Sequence, residues 1–285
     1  MTRRRLKKLL PCIMALPALA LAASITLGSV INTFSEGLGY LPELHMEELT
    51  LQHFLSLFSD AAFQRSLWWS LRIAAVSTFL SVVLGAALAW LLAASGWRCA
   101  ARIARLPVIL SYMAAAVLIY NTFSRYGLVY HIVRLAGLEW SGPDIVFSSS
   151  GTAVILLYLF KGAPYIALSL APIFARAMRD LRAAAWNLGA GRMSTFLHVI
   201  APSGRRTMLT GALVLFNFDL TAYEGFSSLG PARPTALGVL ALQTYQKADL
   251  RARADGMAIS AVMIVFALLS AVLFSRALRR EAGRA

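Results

Sequence analysis

Runs of about twenty apolar residues, the length a helix needs to cross a bilayer, are parted in this sequence by clusters of arginine. Six stretches have this character, at approximately 9–31, 67–94, 103–122, 152–174, 207–227 and 256–278. The first is longer than the roughly 7–15 apolar residues of a signal-peptide core, and further apolar runs follow it, so a retained helix is expected. The fourth contains Lys161, Gly162 and Pro164, where a kink or break is expected. The fifth contains Asn217 and Asp219. The chain reads as an all-α membrane protein, a single domain over 1–285 built as a six-helix transmembrane bundle. Composition agrees, with 59% of the 285 residues hydrophobic and 14% charged, against about 45–50% and about 25% in soluble domains.

The net charge of +14 would suggest nucleic acid in a soluble protein. Here the position of each cation decides its meaning. Six spans put both termini on one side. That side receives 18 Lys and Arg: five before the first span, Arg98, Arg102 and Arg105, six between Arg176 and Arg206, and four from Arg276 onward. The opposite side receives seven, and Arg72 and Lys161 fall within spans. This bias places both termini in the cytoplasm. The charge is therefore an orientation signal, and no nucleic-acid partner is expected. The first outside loop, residues 32–66, carries Glu36, Glu43, Glu47, Glu48 and Asp60, and residues 123–151 mix Phe123, Tyr126, Tyr130 and Trp140 with Gly and Pro.

Several chemistries lack their residues. No lysine lies in a G-x-x-x-x-G-K-[ST] run, so a P-loop is absent. No H-E-x-x-H, metal-spaced Cys or His pair, or G-x-S-x-G elbow occurs. A non-enzymatic chain without a cofactor or metal of its own is expected.

The loop at 175–206 reads ARAMRDLRAAAWNLGAGRMSTFLHVIAPSGRR. Leu181, Ala184, Ala185 and Leu188 recur at helical spacing, and Gly189 follows where a chain leaves a helix in a left-handed conformation. Phe196, Val199 and Ile200 form a second apolar face, and Pro202 stops its regular continuation. The expected form is a cytoplasmic helical hairpin centred on Gly189. Its exposed apolar residues call for a partner surface; the plain alternative is an amphipathic helix resting on anionic lipid.

This stretch resembles the EAA loop of the membrane subunits of binding-protein-dependent ABC importers of type I. In that family the pattern is approximately E-A-A-x-x-x-G-A, about nine further residues, then a hydrophobic residue and Pro. Ala183-Ala184-Ala185, Gly189-Ala190, Phe196 and Ala201-Pro202 follow it. The family's acidic residue falls on Ala183, and its capping Ser falls near Gly191. The resemblance implies the permease fold of the spermidine/putrescine, iron, thiamine and sulfate branch, with an EAA-type coupling hairpin. It implies a translocation subunit in the bacterial inner membrane. Its partners would be a second permease subunit, an ABC ATPase dimer that binds ATP and Mg, and an extracytoplasmic solute-binding protein. The solute would be small and charged: a polyamine, metal, thiamine or oxyanion. The hairpin would dock on the ATPase through Leu181, Ala184, Ala185, Leu188, Gly189, Ala190, Phe196 and Pro202.

Charged groups inside a bilayer are costly and usually face the bundle interior or water. Asp219, Tyr223 and Glu224 at the end of the fifth span, with Lys161 in the fourth, are the candidates for the translocation path. Two other readings stand beside this one. Asp219 pairs with Lys161 or Arg72 to hold helices together, or Asp219 or Glu224 serves an ion-linked secondary transporter.

Overall fold

The computed structural model describes residues 3–42, 45, 48–95, 98–137, 145–187 and 189–282. The helices, in order, are α1 (Arg3–Gly37), α2 (Gln52–Ser59), α3 (Ala61–Ser95), α4 (Arg98–Ile103), α5 (Leu106–Ile109), α6 (Tyr112–Phe123) and α7 (Leu128–Leu135). They continue with α8 (Thr152–Asn187), α9 (Arg192–Thr195), a π-turn over Phe196–Ile200, α10 (Ala201–Ser203), α11 (Arg205–Thr221), α12 (Glu224–Leu229), α13 (Leu237–Tyr245) and α14 (Ala252–Ala282). Among the described residues four helices are long and apolar enough to span a membrane by themselves: Met14–Gly37, Ala61–Ser95, Thr152–Leu181 and Ala252–Arg279.

The two remaining expected spans take other forms. The run at 103–122 is broken, and its halves Ala100–Ile109 and Tyr112–Leu135 meet at a bend of 106°. The run at 207–227 becomes the 17-residue α11, which ends at Thr221, followed by the short α12. Seventeen residues rise about 25 Å, short of the roughly 30 Å hydrocarbon core. The fourth run differs the other way. Neither Pro164 nor Pro172 stops α8, which continues for 36 residues to Asn187.

The chain divides into two compact units, 1–60 with 241–262, and 61–240 with 263–285. In the first, the C-terminal end of α1 meets the start of α14. A Cβ on Gly37 would lie 3.2 Å from Ala258 backbone atoms, so the two helices touch through their main chains. Glu36, almost fully buried, accepts hydrogen bonds from Arg253 at 2.9 and 3.3 Å and from Asn32 at 2.6 Å. Arg253 also lies over the Tyr245 ring, so the guanidinium is held from two sides.

In the second unit α3 and α8 form the central pair. Ser66, Ser70, Ser77 and Ser81 are buried along one face of α3, and such small residues let helices approach closely. A Cβ on Gly85 would lie 2.6 Å from Ile166 Cβ, and one on Gly162 would lie 2.5 Å from Ser81 Oγ. One core cluster gathers Trp69, Ile73, Leu157, Tyr158, Phe226 and Leu229. A second gathers Ala89, Ile166, Leu170, Phe174, Ile200 and Leu215. Polar ties close the pair. Trp69 Nε1 donates to the Ser149 carbonyl at 2.9 Å, Arg72 donates to the Ser150 carbonyl at 2.6 Å, and Ser70 Oγ accepts from Leu237 N–H at 2.9 Å.

Candidate coupling and translocation site

The first arm of the hairpin is the end of α8 itself, which differs from the separate short helix expected over the start of 175–206. Gly189 turns the chain with φ +82°, a conformation that disfavours any Cβ. Ala190 N–H donates to the Ala185 carbonyl at 3.0 Å, the six-to-one bond that closes a helix C-terminus around a left-handed glycine. Gly191 then caps α9 without a side-chain hydrogen bond, and Thr195 Oγ1 donates back to the Gly191 carbonyl at 2.9 Å. Pro202 has no N–H to offer the carbonyl one turn back, and the preceding residues widen into the π-turn.

The second arm is fastened to the bundle by aromatic packing. The Phe196 ring lies 5.0 Å from that of Trp90 and meets Phe174 edge-on at 6.1 Å. Thr195 and Ile200 are buried beside it. Gly204 closes the loop, since a Cβ there would lie 2.7 Å from the Phe174 ring and 2.8 Å from Leu170. Both arms also carry exposed apolar side chains, Leu181 at 46% on the first and Met193 at 60% and Leu197 at 54% on the second. Of the other residues expected in this loop, Ala185 is buried, Ala190 half-buried and Pro202 exposed. Leu188 and the side chain of Ala184 lie outside the described residues. Met193 and Leu197 carry much of the exposed apolar face, and the loop pattern passes over them; their spacing of four on one helical face is the signal that marks them.

The four polar path candidates separate into two pairs. Asp219 is 2% exposed and accepts a hydrogen bond of 2.5 Å from Ser77 Oγ on α3. Lys161 is 7% exposed, donates to the Pro107 carbonyl at 3.1 Å and to the Leu110 carbonyl, and lies 4.4 Å above the Tyr112 ring. Both groups face the packed interior, and their partners are not each other. Arg72 is likewise turned to Ser150, so Asp219 ties α11 to α3 through a serine and not through Lys161 or Arg72. Tyr223 and Glu224 stand at the break between α11 and α12, and both are exposed. With Val214, Phe218 and Thr221 they form an open stripe along α11. Ser77 and the carbonyls of the bent span are partners that sequence reading missed. The serine spacing on α3 hints at a close helix contact but does not say which acid it meets.

No family model matches the chain. It is 24% identical over 211 residues to the probable sulfate transport system permease protein cysT of Helicosporidium sp. subsp. Simulium jonesii, covering 72% of this chain and 74% of that protein. It is 27% identical over 219 residues to the molybdenum transport system permease protein ModB of Mycobacterium bovis, covering 76% and 80%. Among solved structures it resembles a chain of a bacterial ABC transporter that imports the acidic polysaccharide alginate, with a TM-score of 0.75 at 19% identity over 97% of this chain and 98% of that one. A second structure of a bacterial alginate ABC transporter, in complex with its alginate pentasaccharide-bound periplasmic protein, gives a TM-score of 0.77 at 18% identity over 97% and 96%. These relatives are transport permeases, and they give no support to an ion-linked secondary transporter. In fold the chain matches the transmembrane subunits of bacterial ABC transporters, and in sequence it is similar to permease proteins of sulfate and molybdenum transport systems.

Proposed function

We propose that this permease carries a small oxyanion of the sulfate or molybdate class, delivered by an extracytoplasmic binding protein and driven by an ABC ATPase dimer. The observation that carries the coupling half of this reading is the exposure of the apolar side chains of Leu181, Met193 and Leu197 on a hairpin fused to α8. An apolar patch of this kind, held on rigid supports, suits docking into a groove of another protein. ATP and Mg belong to that partner, and this chain performs no bond chemistry. The orientation follows the arginine bias, with both termini and the hairpin in the cytoplasm of a bacterial inner membrane.

The oxyanion is supported by the sulfate and molybdenum permeases among the relatives. The alginate transporter's complex with its periplasmic protein supports delivery by a binding protein. The path lies along the open stripe of α11 with Tyr223 and Glu224, facing a second permease subunit, while Asp219 holds the stripe's helix to α3. The ATPase end is tested by pull-down of the ATPase with the intact chain and with residues 180–202 deleted, and capture by the intact chain alone is expected. The solute is tested in proteoliposomes containing the chain, its ATPase and its binding protein. Accumulation of labelled sulfate or molybdate with ATP is expected, and putrescine, ferric iron and thiamine are expected to stay outside.

A further inference from the structure

Lys161 is a buried cation in an apolar bundle, and the path proposed along α11 leaves its role open. Such a charge persists where its donors are satisfied. Its ammonium donates to the carbonyls of Pro107, in the helix before the 106° bend of the third span, and of Leu110, in the break itself, and sits over Tyr112, the first residue of α6. A bend inside a membrane frees carbonyls that no water can satisfy, and Lys161 supplies the missing donors. Tyr112 in turn stacks on Phe218 of α11, with ring centroids 4.7 Å apart.

Lys161 belongs to α8, and α8 runs unbroken from there to the hairpin. The 27 residues from Lys161 to Asn187 form a continuous helical segment of about 40 Å. Both arms of the hairpin belong to this segment. The first is its end, and the second is pinned to it by Phe196 on Phe174 and by Gly204 on Phe174 and Leu170. A displacement of the hairpin is therefore a displacement of α8.

We infer that Lys161 is the positioning residue that fastens the bent third span to α8, so that movement of the hairpin is carried to α6 and, through Tyr112 and Phe218, to the open stripe of α11. This deepens the coupling role proposed above and rests on it.

The test uses the assembled importer with spin labels at Val83 on α3 and Leu118 on α6, both exposed. In the wild-type protein one narrow 83–118 distance is expected with and without ATP, because α6 travels with the central pair. In Lys161→Met that distance broadens or shifts with nucleotide. ATP hydrolysis continues, and solute transported per ATP falls roughly tenfold, within the range for a residue along a coupling network. Lys161→Arg, which keeps a cation and its donors, restores most of the ratio. A Lys161→Met protein with the wild-type distance, or with unchanged transport per ATP, overturns the proposal. If Lys161→Met does not assemble, Tyr112→Leu decides by transport per ATP, since it leaves the carbonyl bonds, and with them the narrow 83–118 distance, but removes the link to Phe218; an unchanged transport ratio there overturns the proposal as well. Failure of the docking reading looks different. The ATPase then does not bind the wild-type chain, and broadening of the 83–118 distance in the isolated Lys161→Met chain still tests the fastening.

Discussion

The third and fourth runs are both apolar and contain proline, and they have opposite fates. Residues 98–123 fall into three short helices with a sharp bend. Residues 152–187 stay one helix despite two internal prolines. Proline content therefore does not decide continuity here. The fourth run is packed along much of its length, with Val154, Leu157, Ile166, Leu170 and Phe174 in the two core clusters, and this packing outweighs a lost hydrogen bond at each proline. The third run is thinly held at the bend, where Leu106 and Ile109 are exposed. Its break becomes a fixed shape because a cation from the continuous helix satisfies it. One helix is kept continuous by its neighbours, and the other is kept bent by the first.

The largest change should come from disturbing the helix that stays whole. Gly85→Leu places a side chain where even a Cβ lies 2.6 Å from Ile166 Cβ and 2.8 Å from the Ala163 carbonyl. A loss of about 3 kcal/mol or more is expected from overpacking two rigid backbones. Thermal unfolding in detergent reads it, and a midpoint within error of the wild type would show that the α3–α8 contact is looser than described.

Lys161→Met should come next. It removes the donors from the two carbonyls at the bend while keeping an apolar stem, with a cost of about 2 kcal/mol from the unsatisfied acceptors. Gly189→Val follows. The space around Gly189 is open, so the cost of about 1–2 kcal/mol is the left-handed φ alone. Protease accessibility of the hairpin, and not the global midpoint, is the measurement that reports it, and equal cleavage would contradict a strained turn. The smallest effect should be Pro107→Ala. If Lys161 holds the bend, restoring an N–H at 107 changes stability by less than about 1 kcal/mol, and the bend angle read by labels on either side stays the same. A straightened span would mean that the proline, and not the lysine, sets the bend.

Much of the fold was legible because bilayer physics writes it in length and charge. The apolar runs, their arginine punctuation and the Gly189 turn each answer to a local rule, and the first, second, fourth and sixth runs are long helices. The run at 207–227 is interrupted where Ala222 leaves the helix in an extended conformation, a break that hydropathy averaged over a window smooths away. The continuity of α8 into the hairpin was hidden for a related reason. Its arginines mark the membrane boundary, and a helix can cross that boundary without ending. The site was legible in part. The hairpin follows a spacing pattern, whereas the fates of Asp219 and Lys161 depend on which neighbour each one meets. Ser77 is 142 residues from Asp219, and the Pro107 carbonyl is 54 residues from Lys161; no local pattern announces either.

The coupling role of the hairpin is measured most directly by the affinity of the purified chain for its ATPase subunit when the exposed apolar side chains of the hairpin are changed. Leu181→Asp, Met193→Asp and Leu197→Asp together leave the turn and the Phe196 anchor in place. Binding should be lost while the chain keeps its thermal midpoint. Binding at wild-type affinity by this folded variant would contradict the assignment of the hairpin as the coupling surface.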